Sequence, residues 1–177
     1  MHGKAAVKRA FYAQTMAQYG FHVRSTGNEG DTMTGARGDH AHWVRRFAEV
    51  WAAPRQRLDQ LMALLSPGVV LKAPTRPAKT IGHVAARQAF QQTFDAMPDL
   101  RAEIERWSAC GDVLFIEMTF RATIGGREVA WRSVDRILFR NGAASERTAF
   151  FDPARVRRAF LRNPTALRQM LRLRLGI

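Results

Sequence analysis

Residues 111–152 read GDVLFIEMTFRATIGGREVAWRSVDRILFRNGAASERTAFFD, and their pattern decides the fold. Gly125-Gly126 and Asn141-Gly142 are dipeptides that accept positive φ at both central positions of a two-residue hairpin turn. Three antiparallel strands joined by two hairpins follow. The middle strand alternates. Val129, Trp131, Ser133, Asp135, Ile137 and Phe139 share one face; Ala130, Arg132, Val134, Arg136, Leu138 and Arg140 share the other. The arginine-bearing face is assigned to water, which leaves Asp135 as the one carboxylate on a mostly apolar face.

Working upstream, Leu100 to Trp107 alternates Leu100, Ala102, Ile104 and Arg106 against Arg101, Glu103, Glu105 and Trp107, a strand with one charged, wet face. Residues 83–96 predict a helix with Ala86, Phe90 and Phe94 as its buried stripe, closed by Pro98-Asp99. Pro74 and Pro77 impose a loop where a pocket rim would lie. Val69-Val70-Leu71 predicts a short strand. Ser66-Pro67-Gly68 stops a helix that Pro54 opens at its first turn and that buries Leu58, Leu61, Met62 and Leu65. The first helix is expected to start near Asp39 or His40, with Asp39 as N-cap and Trp43, Phe47 and Trp51 recurring every four residues. Downstream, Asp152 caps a helix opened by Pro153 and turned inward at Val156, Phe160 and Leu161. Asn163-Pro164 breaks it, and Thr165 begins a last short helix to Leu173.

The order is helix, helix, strand, helix, four antiparallel strands, helix. That is an α+β layout rather than a parallel α/β one. A strongly twisted antiparallel sheet with helices on one face encloses a cavity between the two.

Length and charge set the rest of the frame. The 177 residues suffice for one domain and an extension. The net charge of +13 divides as +2 over residues 1–40, +4 over 41–152 and +7 over 153–177. The basicity is mostly C-terminal, which weakens a nucleic-acid reading of the whole domain. The lone Cys110 excludes an intramolecular disulfide and a cysteine-based zinc cluster, and makes a reducing, cytoplasmic setting the default. No apolar run nears the ~20 residues that span a bilayer, and no secretory apolar region is visible.

Residues 1–40 read as a basic, flexible extension whose last part is a Gly- and Thr-rich linker. A targeting peptide and a start codon placed too far upstream are the competing accounts. Residues 41–162 form the domain, and 163–177 a basic tail helix. In that tail Leu167, Met170 and Leu171 make a stripe bordered by Arg168, Arg172 and Arg174. It reads as a docked helix or an oligomer contact with a solvated face. Nucleic acid or an anionic membrane is the less favoured partner.

Three pieces in order carry a family resemblance: LDQLMALLSPGVVL at 58–71, GHVAARQAFQQTFDAMPDL at 82–100 and SVDRILFRNGAASERTAFFD at 133–152. The chain resembles the SnoaL-like polyketide cyclases of the nuclear-transport-factor-2-like superfamily over residues 43–162. The resemblance implies a cone, a curved sheet wrapped around N-terminal helices with a pocket open at one end. It further implies a hydrophobic small-molecule ligand, no cofactor and a homodimer through the outer sheet face. Asp135 falls on the family's strand aspartate, which acts as acid or base in some cyclases and isomerases. The superfamily's epoxide hydrolases use an Asp–Arg–Asp set. Here Ala149 replaces one acid and Glu117-Met118-Thr119 carries no Arg-x-Asp, so that reading is set low. Gly142-Ala143-Ala144 also lacks the family's apolar bulk, which should loosen that end of the cone.

The expected site is therefore Asp135 as the catalytic group, lined by Trp43, Phe47, Trp51, Phe90, Phe94, Met118, Trp131, Ser133, Glu146 and Thr148. No metal is expected: His2, His22, His40 and His42 lie in the extension or at its edge, and His83 starts a helix. A carboxyl among apolar side chains holds or accepts a proton more readily than one in water. A cofactor-free isomerase or cyclase acting on a hydrophobic carbonyl compound is one reading. A non-catalytic binding or dimerisation module is the other, with Asp135 tied to a neighbouring Arg, Trp131 or Thr148 and the basic tail meeting an acidic partner. With a two-residue turn at Asn141-Gly142, Asp135 would oppose Thr148 and sit diagonal to Glu146, a potential carboxyl pair. A three-residue turn would turn Glu146 out and Arg147 in.

Overall fold

The computed structural model describes residues 33–76 and 78–168, with side chains from residue 40 onward. The expectations for the chain before residue 33 and for Met170, Leu171 and the rest of the tail lie outside the described residues. Helix α1 (Met33–Ala52) is followed by α2 (Leu58–Ala63), β1 (Leu65–Lys72), β2 (Thr80–Ile81) and α3 (His83–Ala96). Strands β3 (Arg101–Cys110), β4 (Val113–Ile124), β5 (Arg127–Arg140) and β6 (Ala143–Phe150) come next, then α4 (Pro153–Leu161).

Both long hairpins turn on the predicted dipeptides. Gly125 and Gly126 stand at φ 61° and 77°, Asn141 and Gly142 at 53° and 74°. The six strands run in the order β2-β1-β6-β5-β4-β3, an open, curved sheet. All neighbours are antiparallel except β1 and β6, which are parallel. The inward face of β5 carries Trp131, Ser133, Asp135, Ile137 and Phe139, all buried. It continues across β4 through Leu114, Ile116, Met118, Phe120 and Ala122. Against this face lie Trp43, Phe47 and Trp51 of α1 and Phe90 and Phe94 of α3, one apolar core. The hydrophobic area these rings remove from water is the main force holding helices to sheet.

The outer face of the same strands is a lattice of ion pairs. Arg106 meets Glu117, Arg132 meets Glu105, and Arg101 and Arg121 both meet Glu128. The alternation read in the sequence thus becomes one dry face and one wet face.

Several boundaries differ from expectation. Helix α1 begins at Met33, so Asp39 lies inside it and is no cap. Pro54 is buried in a turn, where the Arg57 N–H donates to its carbonyl at 3.2 Å, and α2 starts only at Leu58. Ser66-Pro67-Gly68 belongs to β1, whose pairing with β6 slips between Leu65 and Val70. Strand β3 bulges between Ile104 and Arg106, which breaks its alternation. Asp152 does cap α4, accepting from the Ala154 N–H at 2.8 Å with Pro153 in the first turn, but Leu161 faces water, 59% exposed. No helix among the described residues is long and apolar enough to cross a membrane.

Candidate functional site

The β5–β6 hairpin positions the site. Arg140 opposes Ala143 and Phe139 opposes Ala144, as a two-residue turn requires; then Leu138 opposes Glu146. Ser145 is the extra residue of a β-bulge, its hydroxyl donating to the Leu138 carbonyl at 3.0 Å. From there on the strand is shifted by one. Asp135 opposes Ala149 and Ile137 opposes Arg147. The expected facing of Asp135 with Thr148 and of Ile137 with Glu146 is thereby corrected: the turn has two residues, and the bulge performs the flip.

Glu146 and Thr148 therefore lie on the outer face. Glu146 accepts from Lys72 Nζ at 2.7 Å, from Arg136, and from Thr148 Oγ1 at 3.2 Å. Burial alone would push the Glu146 carboxyl up, but the hydrogen bonds from Lys72 and Arg136 outweigh it and hold it below the ordinary glutamate range. No Asp135–Glu146 carboxyl pair forms.

Arg147 takes the inward place. Its Nε donates to Asp135 Oδ2 at 2.5 Å, and Ser133 Oγ donates to Asp135 Oδ1 at 3.1 Å. Asp135 is 0% exposed. The guanidinium carbon lies 4.8 Å from the Trp51 ring centroid, 5.6 Å from Phe47 and 5.9 Å from Phe90. Electron-rich ring faces favour a desolvated cation at such distances. The carboxylate and the rings together make a buried guanidinium tolerable.

A cavity of about 150 Å³ opens beside this pair, between the sheet and α3. Trp51, Phe90, Phe120, Trp131 and Phe151 supply its apolar wall; Arg147, Ser133, Thr93 and Arg76 are among its polar groups. Of the expected lining, Trp51, Phe90, Trp131 and Ser133 are in the wall. Trp43, Phe47, Phe94 and Met118 are core behind it, and Asp135 is screened by Arg147. Arg76 and Thr93 escaped the sequence reading. Thr93 stands three residues after Phe90 on the same helical face, a signal that was there to use. Arg76 sits in the loop forced by Pro74, and its Nη2 donates to the Ala89 carbonyl at 2.8 Å. One buried side-chain donor has no acceptor among the described residues: Nε1 of Trp51. Trp43, two stripe positions earlier, gives its Nε1–H to the Leu64 carbonyl at 3.2 Å.

Among the described residues, no Asp, Glu, His, Cys or Tyr lines the cavity, and no three metal-ligating side chains gather. The arrangement offers a fixed cation at the edge of an apolar hollow. It can neutralise an oxygen that carries or develops negative charge.

The model of the SnoaL-like domain family matches residues 44–147. No curated protein matches the sequence. Among solved structures, a candidate SnoaL-like polyketide cyclase from Jannaschia sp. CCS1 superposes with a TM-score of 0.65 at 18% identity, covering 78% of this chain and 100% of that one. A nuclear-transport-factor-2-like protein of unknown function from Burkholderia pseudomallei K96243 gives 0.61 at 23% identity, covering 68% and 96%. An epoxide hydrolase from M. tuberculosis, of the LEH-like kind, gives 0.58 at 18% identity, covering 73% and 95%. At these identities the likeness is one of fold.

Proposed function

The chain belongs to the SnoaL-like domain family, and we propose that it binds a small hydrophobic molecule through an acceptor oxygen, a carbonyl or carboxylate, delivered to Arg147. The observation that carries this reading is a guanidinium held in place by Asp135 at the edge of an aromatic-lined cavity. Its volume, about 150 Å³, is that of a cavity that accepts one benzene-sized ring.

Binding is favoured over isomerase or cyclase chemistry. Both Asp135 oxygens are occupied, by Arg147 and Ser133, and no described lining group is a ready proton acceptor. Asp135 is then a positioning residue that acts by holding Arg147. Pairing of two copies through the outer sheet face stays part of the proposal; light scattering is expected to give a dimer mass, and a monomer mass would remove it.

The test uses matched probes. Benzoate is expected to bind the protein and to lose about tenfold or more in affinity in Arg147→Met, the cost of one charge-assisted contact. Toluene, its neutral analogue, should be indifferent to that change. Equal affinity of benzoate for both proteins would end this reading.

A further inference from the structure

A second concavity, an open groove of about 720 Å³, lies between the β4–β5 hairpin and α4 and shares no lining residue with the first. Arg127 lines it from the start of β5. Arg155, Arg158 and Arg162 line it from α4 and its C-terminal cap. Positions three and seven apart fall on one helical face, so these three form a row about 10 Å long. The wall is fixed by a close approach. Asn163 packs over Gly125 so tightly that a Cβ there would lie 2.5 Å from Asn163 Nδ2.

The charge pattern separates this groove from the ion-paired outer face of the sheet. On the sheet, Arg101, Arg106, Arg121, Arg132 and Arg136 each meet a carboxylate. In the groove that matching stops. Its two acids are engaged elsewhere, Glu128 with Arg101 and Arg121, Asp152 with the Ala154 N–H. Among the described residues no carboxylate pairs with Arg127, Arg155, Arg158 or Arg162. Four like charges around one hollow repel each other, and an anion in it would relieve that repulsion.

We propose that the groove binds a phosphoryl-bearing anion with more than one phosphoryl group. All four cations are arginines, whose planar forks match phosphate oxygens two at a time. A 10 Å row is longer than one phosphate, and two walls of cations can hold successive groups from both sides. Among the described residues, no aromatic side chain lines the groove. Bases would find no stacking platform there, so recognition falls on phosphoryl groups whatever carries them. The proposal is independent of the ligand bound at Arg147.

Calorimetric titration of the full chain with tripolyphosphate is expected to show saturable binding that weakens as salt rises. Arg155→Glu/Arg158→Glu should weaken it about tenfold or more. Arg127→Glu, on the opposite wall, should do likewise without touching α4, so the test survives if the helix variant folds poorly. Arg45→Glu/Arg46→Glu makes the same change in net charge on exposed positions of α1 and should leave binding within about twofold. A single-stranded oligonucleotide that displaces tripolyphosphate identifies a nucleic-acid backbone as the source; failure to displace it identifies a free oligophosphate. Absence of saturable binding overturns the proposal. So does equal loss in the α1 control, or a poly-glutamate peptide that binds as tightly as tripolyphosphate.

Discussion

Glu146 and Arg147 are consecutive in β6, yet one belongs to the ion pairs of the outer face and the other to a single buried pair flanked by aromatic rings. On the outer face Glu146 bridges Lys72 and Arg136, as Glu128 bridges Arg101 and Arg121. Such pairs are hydrated and replaceable, worth about 0–1 kcal/mol each. On the inner face Arg147 has Asp135 and the rings of Trp51, Phe47 and Phe90. There the charges are out of water, and each depends on the other. The same chemistry is thus surface detail on one side and a constraint on the fold on the other.

Removing the inner carboxylate should have the largest effect. Asp135→Asn leaves a buried guanidinium without its counter-charge and should cost about 3–5 kcal/mol in urea unfolding. A loss under about 1 kcal/mol would mean that the inner pair behaves like an outer one. The double change Asp135→Leu/Arg147→Met replaces both charges with apolar groups and should return stability to within about 1 kcal/mol of the parent. It should do so without restoring benzoate binding, which separates the fold's need for the pair from the ligand's.

The bulge provides a finer test. Deleting Ser145 makes the β5–β6 ladder regular while keeping Arg147 inward, at a cost of about 1 kcal/mol. If the strand instead slips and turns Arg147 out, Asp135→Asn added to the deletion will cost nothing further. The smallest effect belongs to the outer face. Glu146→Gln should change stability at neutral pH by less than about 1 kcal/mol. Because the folded-state pKa of Glu146 is lowered from 4.5, its contribution is present above that value and is lost as pH falls through the folded one. Thermal melts of the variant should therefore show a flatter acid limb than the parent, and identical limbs would remove Glu146 from the account.

Much of this contrast was legible in the chain. Asn141-Gly142 and Gly125-Gly126 mark their turns by the φ values only such residues adopt cheaply, and the alternation of β5 separates dry from wet. Asp152-Pro153 announces its helix because cap and first turn are local chemistry. The bulge was not legible. Ser145 carries no mark distinguishing it from an ordinary strand residue, and one extra residue inverts every position after it. The early start of α1 was hidden by Gly35 and Gly38 and by the lack of an apolar period over 33–39. The cavity wall was half visible. Trp51 and Phe90 follow from helical spacing, whereas Arg76 and Phe120 reach it only through tertiary packing. The paired β1 and β6 were equally out of reach, since parallel neighbours as far apart in the chain as Val70 and Glu146 leave no local trace.

The most direct measurement is the spectrum of arginine Nε–H groups in isotope-labelled protein, with and without benzoate. One resonance, absent from Arg147→Met, should exchange slowly with water and should move as benzoate saturates the protein. If benzoate saturates while that resonance stays in place, Arg147 is not the ligand's anchor and the account is contradicted.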